Sequence, residues 1–208
     1  MWAGGNHVDG AADNNNPAKV INLSLGAPIA CSDSKSLEDA VNTLHSENVN
    51  IVVAAMNNSQ DTKNWAPANC PHVISVAATG PTQTLTSYSD YGNVTISAAG
   101  GDEHYLNGQI YSTICNDQDH NVSCNHTNSG NFGWAYKSGT SMAAPHVCAA
   151  IAVLLSKKPN LTPDQIIDIL QKSATPYLNG NNCNITGCVT NGILNTEAAI
   201  ISLSSFKQ

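Results

Sequence analysis

Arginine is absent from this 208-residue chain. All eight basic residues are lysines, set against fifteen acidic ones, for a net charge of −7. With no basic cluster and no guanidinium there is no electrostatic footprint for a phosphate backbone, so nucleic acid is not an expected partner. Long apolar runs are lacking too: no stretch approaches the roughly 20 apolar residues a bilayer span requires, so no membrane association is expected. Charge is sparse at 11%, yet hydrophobic residues reach 41%, which excludes a disordered, self-solvating chain. No C-x-x-C pair or His/Cys cluster occurs, so no metal site and no cofactor are expected. The opening Met1-Trp2-Ala3-Gly4-Gly5 has neither the charged start nor the apolar run of a secretory signal. No repeat or linker divides the chain, and residues 1–208 read as one domain.

Seven cysteines are present. Six of them, Cys31, Cys70, Cys115, Cys124, Cys183 and Cys188, fall in loop-like stretches, while Cys148 lies in an apolar segment and reads as a small buried hydrophobe. Six cysteines allow many pairings. Proximity favours Cys115–Cys124 and Cys183–Cys188, leaving Cys31–Cys70. Short bridges of this kind fit an oxidising, extracellular setting.

Strands and helices alternate. Val20 to Gly26 places apolar side chains at alternate positions and ends on a glycine. Ser34 or Ser36 starts a helix whose Leu37, Ala40, Val41, Leu44 and His45 share a face. Ile51-Val52-Val53-Ala54-Ala55 is a continuous apolar run, as in a parallel strand covered on both faces. Val73–Ala78, Val94–Ala98 and Gln109–Thr113 read as further strands, the last two shorter and more peripheral. Thr162-Pro163-Asp164 opens an amphipathic helix with Ile166, Ile167 and Leu170 inward, and a last helix runs from Asn195 to Leu203. The expected class is α/β: a doubly wound, mostly parallel sheet with helices on both faces, where ligands gather at the carboxyl ends of the strands.

One stretch organises the rest. Lys137-Ser138-Gly139-Thr140-Ser141 is a small, polar turn, and from Met142 to Leu155 only His146 is clearly polar. The alanines favour a helix, and its all-round apolar character predicts a buried one with Ser141 at its positive end. Pro145 is expected near enough to the helix start to be tolerated.

The string from Gly139 to Val147 resembles the G-T-S-M-A-A-P-H-V signature around the nucleophile of subtilisin-like serine proteases. Further stretches resemble that family in order: Val20–Gly26, Ala54-Ala55-Met56-Asn57-Asn58, Val73–Ala78, Ser87–Gly92 and Gly192–Asn195. The likeness covers essentially the whole chain and is strongest to secreted, disulfide-containing bacterial members. It implies Ser141 as nucleophile, with its own N–H and the Asn57 side chain as oxyanion donors. It implies a peptide or protein substrate lying extended against Ser24, Leu25 and Gly26, with a first pocket walled by those residues and by Ala54, Ala55 and Met56, beside Gly139 and Thr140.

Several positions depart from the pattern. Met56 and Ala27 stand where the family has glycine, and Ala99 where it has proline. Thr95 stands where relatives often carry a calcium-binding aspartate, so the resemblance supplies no structural calcium here. The family's D-[ST]-G and H-G-T-H motifs, which carry the triad Asp and His, do not occur, and without the first strands of the family's sheet the Met142–Leu155 helix is expected to be incompletely covered. Three readings stay open. The first is part of a protease domain whose missing piece supplies Asp and His, and the second a degenerate domain that keeps the groove without turnover. A generic α/β domain with a chance signature is the third.

Overall fold

A computed structural model describes residues 1–115, 132–178 and 189–204. Its centre is a four-stranded parallel sheet in the order β1 (Val20–Leu23), β2 (Asn50–Ala54), β3 (Ile74–Thr79) and β5 (Ile96–Ala99). Register is set by pairs such as Ile21 with Ile51, Val52 with Ile74, and Val76 with Ile96. β2 and β3 are buried at every position, as an apolar run covered on both sides requires.

Helix α1 (Lys35–Ser46) covers one face, with Val41 and Leu44 packed on Ile51 and Val53. Cys31 and Cys70 belong to the same cluster and form a disulfide, as expected, closing a loop with a sequence separation of 39. The pairs Cys115–Cys124 and Cys183–Cys188 lie outside the described residues. The opposite face receives α2 (Thr140–Lys157), α3 (Pro163–Ser173) and α4 (Thr196–Ser202). Thr162 caps α3 reciprocally: its Oγ1 accepts from Gln165 N–H and its own N–H donates to Gln165 Oε1. Asn195 Oδ1 caps α4 by accepting from Ala198 N–H. Within α3 Ile166, Ile169 and Leu170 are fully buried while Ile167 is half-buried, so Ile169 takes a core position that the sequence reading left out.

One expectation needs revision. The strand expected over Val94–Ala98 breaks at Thr95 into a short β4 (Asn93–Val94) and β5. Thr95 Oγ1 accepts from Ser75 N–H at 3.1 Å, diverting the local backbone pairing. β4 pairs instead with β8 (Val189–Thr190). Helix α2 is incompletely covered, as expected where the family's first strands are missing: Ala143, Ala144, Val147, Ala150, Ile151 and Leu154 are buried, whereas Pro145, Ala149, Ala152 and Val153 are exposed. By length and composition alone its 18 residues could cross a membrane. Its buried side packs on β1, β2, β3 and β5, the position of a core helix.

A hairpin missed in part by the sequence reading precedes α2. β6 (Ile110–Cys115) pairs antiparallel with β7 (Phe132–Lys137), Tyr111 opposite Tyr136.

Candidate active site

The carboxyl ends of β1, β2 and β5 meet the start of α2. Gly139 N–H donates to Gly100 O just past β5, and Thr140 N–H donates to Asn57 Oδ1 just past β2 at 2.9 Å. Ser24 Oγ, just past β1, donates to Ser141 O at 3.0 Å. This last bond has a local cause. Pro145 is the sixth residue of α2, beyond the first turn, and it has no N–H to give to the carbonyl four residues earlier. That carbonyl belongs to Ser141, and Ser24 supplies the missing donor.

Asn57 is held by its oxygen. Oδ1 accepts from both the N–H and the Oγ1–H of Thr140, the latter at 3.0 Å, while Thr140 Oγ1 accepts from Met56 N–H at 3.2 Å. With the carbonyl side of the amide committed, the NH2 side is the one left to donate. It has no partner among the described residues, and Asn57 is exposed. Ser141 sits in the first turn of α2, where N–H groups have no intrahelical acceptor. The site therefore presents two unpaired donors, Ser141 N–H and Asn57 Nδ2, beside a half-exposed hydroxyl. Such a set can stabilise an oxyanion formed on attack by that hydroxyl.

Asp90 supports the turn from behind. It is fully buried; its Oδ1 accepts from Asn58 N–H at 2.6 Å and Gln60 N–H at 3.0 Å, and its own N–H donates to Met56 O. Both neighbours of Asn57 are thus clamped to one residue. Burial pushes the Asp90 carboxyl above its usual range against the pull of those two N–H donors. The sequence reading placed this segment in family order but gave Asp90 no role. The only available signal was a carboxylate between two tyrosines, Tyr88 and Tyr91, in an otherwise uncharged stretch.

Met56 adopts φ +89°, a left-handed backbone that non-glycine residues seldom take. Its side chain lies against Gly26: a methyl group added to Gly26 would come within 2.7 Å of the Met56 sulfur and 2.9 Å of Ala66 O. The two strand ends read as pocket walls, Ser24–Gly26 and Ala54–Met56, therefore have a methionine thioether between them. Both positions favour glycine, one for conformation and one for space.

No described side chain hydrogen-bonds the Ser141 hydroxyl. His7 pairs with Asp13, His104 with Asp102 and His45 with Asp164. His146 lies one turn into α2, exposed, with Nδ1 2.8 Å from Met142 O. His120 and His126 lie outside the described residues. A cleft of about 430 Å³ runs between the β6–β7 hairpin and α2, lined by Tyr111, Ile114, Ala135, Ser141, Pro145, His146 and Ala149 among others.

Residues 3–192 match the subtilase family. An extracellular protease of Xanthomonas campestris pv. campestris is 35% identical over 201 residues, which make up 96% of this chain and 31% of that protein. Subtilisin BL of Lederbergia lenta is 34% identical, over 89% of this chain and 57% of its own length. A solved protease structure from Pseudoalteromonas arctica PAMC 21717 superposes with a TM-score of 0.82 at 34% identity, covering 97% of this chain and 56% of that one. The chain belongs to the subtilase family. It spans about a third to somewhat over half the length of these relatives.

Proposed function

We propose that this chain is the C-terminal part of a secreted subtilisin-like serine endopeptidase domain, with Ser141 as nucleophile and Ser141 N–H and Asn57 Nδ2 as the oxyanion hole. The observation that carries the reading is the locking of Asn57 Oδ1 by Thr140, which leaves the donor half of the amide free next to the serine. A serine hydroxyl is a weak nucleophile without an adjacent base. Neither triad motif occurs here, so the Asp and His come from a separate stretch of polypeptide in this reading.

The fold offers that stretch a place. Among the described residues β1 pairs only with β2, and its other edge is open. Cys148 on α2 lies 3.7 Å from Asn22 Oδ1 on β1, so the open edge is continuous with the uncovered stripe of Pro145, Ala149 and Ala152. Added strands would extend the sheet and cover the stripe together. Secretion is supported by the Cys31–Cys70 bridge and by extracellular relatives. No structural calcium or other cofactor is required by this reading.

One observation favours a second reading, a peptide-binding domain without turnover: the Met56 thioether lies where the first pocket would open. Fluorophosphonate labelling separates the two. The isolated chain should label poorly at Ser141. Adding a polypeptide that carries the family's Asp and His strands should restore labelling, and in the complemented protein Asn57→Ala should lower turnover by roughly 10²–10³, the loss known for the equivalent donor in subtilisin. Complementation that forms a complex but leaves Ser141 unlabelled would select the binding domain.

A further inference from the structure

The pole of the sheet opposite Ser141 gathers three side chains the sequence keeps far apart. His45 is in the last turn of α1, just ahead of β2; His72 immediately precedes Val73 and β3; Asp164 is in the first turn of α3. His45 Nε2 lies 3.2 Å from Asp164 Oδ1, and the two imidazoles stack with centroids 4.1 Å apart at 28°. One potential ligand atom from each residue falls within 4.8 Å of the others.

We propose that His45, His72 and Asp164 form a binding site for a divalent first-row transition ion of the zinc class. Two imidazoles and one carboxylate are borderline ligands that suit zinc, whereas calcium and magnesium call for oxygen alone. Zinc bonds of about 2.0–2.1 Å set the edge of a coordination tetrahedron at roughly 3.3 Å, and the His45–Asp164 separation of 3.2 Å already matches it. His72 has to approach by at most the difference between 4.8 Å and that edge.

Each ligand is carried by a braced element. His45 is on a helix packed into the core and its side chain is only 19% exposed. His72 follows Cys70 of the disulfide by two residues and holds φ +63°, which histidine tolerates better than most residues. Asp164 sits behind the Thr162 capping box. Three protein ligands leave a fourth position for water. The ion would tie α1 on one face of the sheet to α3 on the other. This inference is independent of the catalytic reading.

The test uses the 208-residue chain stripped of metal with EDTA and titrated calorimetrically with Zn(II), with Co(II) as an optical probe of geometry. One equivalent of zinc should bind, and Co(II) should show the intense visible band of a low-coordinate site. His45→Ala, His72→Asn and Asp164→Asn should each weaken binding by at least about tenfold. His72→Asn retains tolerance for the left-handed backbone, so far-UV circular dichroism should be unchanged. With free zinc at about 100 times the dissociation constant, Tm should rise by roughly 5–10 °C. Full affinity in His72→Asn, or in the triple variant, would overturn the site: His45–Asp164 would then be a bare hydrogen bond and the ion would sit on other histidines. Absence of any binding would overturn it as well.

Discussion

β3 and β1 are neighbours but one in the same sheet and are built from similar apolar residues, yet their surroundings differ at every level. β3 has a strand on each side, and all six of its residues are buried. Among the described residues β1 has a strand on one side only, and none of its four residues is fully buried. The contrast extends to α2, whose side toward the sheet is sealed and whose other side is not. Closure here is a property of what lies alongside, since alanine and valine side chains serve on both sides of the helix. The closed half can be stable with the residues present, whereas the open half has the character of an unmade interface.

The largest test of this comparison uses adjacent residues on α2. Leu154 is fully buried among β-strand side chains, while Val153 is 38% exposed. Leu154→Ala should lose about 3 kcal/mol through lost burial and the cavity left behind. Val153→Ala should stay within about 0.5 kcal/mol. Urea unfolding of both variants measures the difference. Similar costs would break the comparison, because Val153 would then have to be buried in solution, for instance against a second copy.

This difference shows where sequence reading stops. The apolar run Ile51–Ala55 and the Thr162-Pro163 helix start carry their own signals in adjacent residues, and both elements form as expected. The helix after Ser141 is equally plain from its alanines. Its incomplete cover follows only from the resemblance, through the missing first strands; which side is buried is not legible, because that depends on strands contributed by distant residues, from Val20 to Ala99. β7 was missed because Gly133 interrupts a strand whose Trp134 and Tyr136 face solvent, so neither an apolar run nor inward alternation marks it. At the site, Ser141 and Asn57 stand out through their motifs. That Thr140 fixes the Asn57 amide, that Ser24 replaces the donor Pro145 lacks, and that Asp90 clamps both sides of Asn57 are contacts between distant segments, and only the fold displays them.

Asp90 sharpens the comparison from within the closed half. Its Oδ1 is the acceptor for two backbone N–H groups. Asp90→Ala strands them and should cost about 2 kcal/mol, with each unmade buried bond worth roughly 1–3. Asp90→Asn keeps an acceptor and should cost clearly less at neutral pH. The pH dependence has a definite sign. A carboxyl raised by burial is more easily protonated folded than unfolded, so its contribution is fully present below the ordinary 3.8 and is lost as pH rises through the folded value. Unfolding free energies between pH 3 and 7 should therefore fall with pH more steeply in the parent than in Asp90→Asn. Parallel curves would show that Asp90 is not desolvated and that this half is less closed than β3 implies.

The smallest effect concerns Cys148, at the border of the open half. Its thiol is half-buried on α2 beside Asn22, and burial raises it from the usual 9.0 to about 11. Because the thiolate is the reactive form, a shift of that size lowers its fraction at pH 8 about 100-fold relative to an unshifted thiol. Alkylation at Cys148, followed by peptide mapping, should thus be slow at pH 8 and should keep accelerating well past pH 9. The linked effect on stability runs the same way: the folded state holds the proton more tightly, so stability is unaffected below about pH 9 and declines above it. Strands added to β1 would cover the thiol, so the complementing polypeptide that restores Ser141 labelling should slow Cys148 alkylation further at every pH. If labelling of Ser141 returns while Cys148 keeps its rate, the added chain docks elsewhere, and the open edge of β1 is not the seam of the domain.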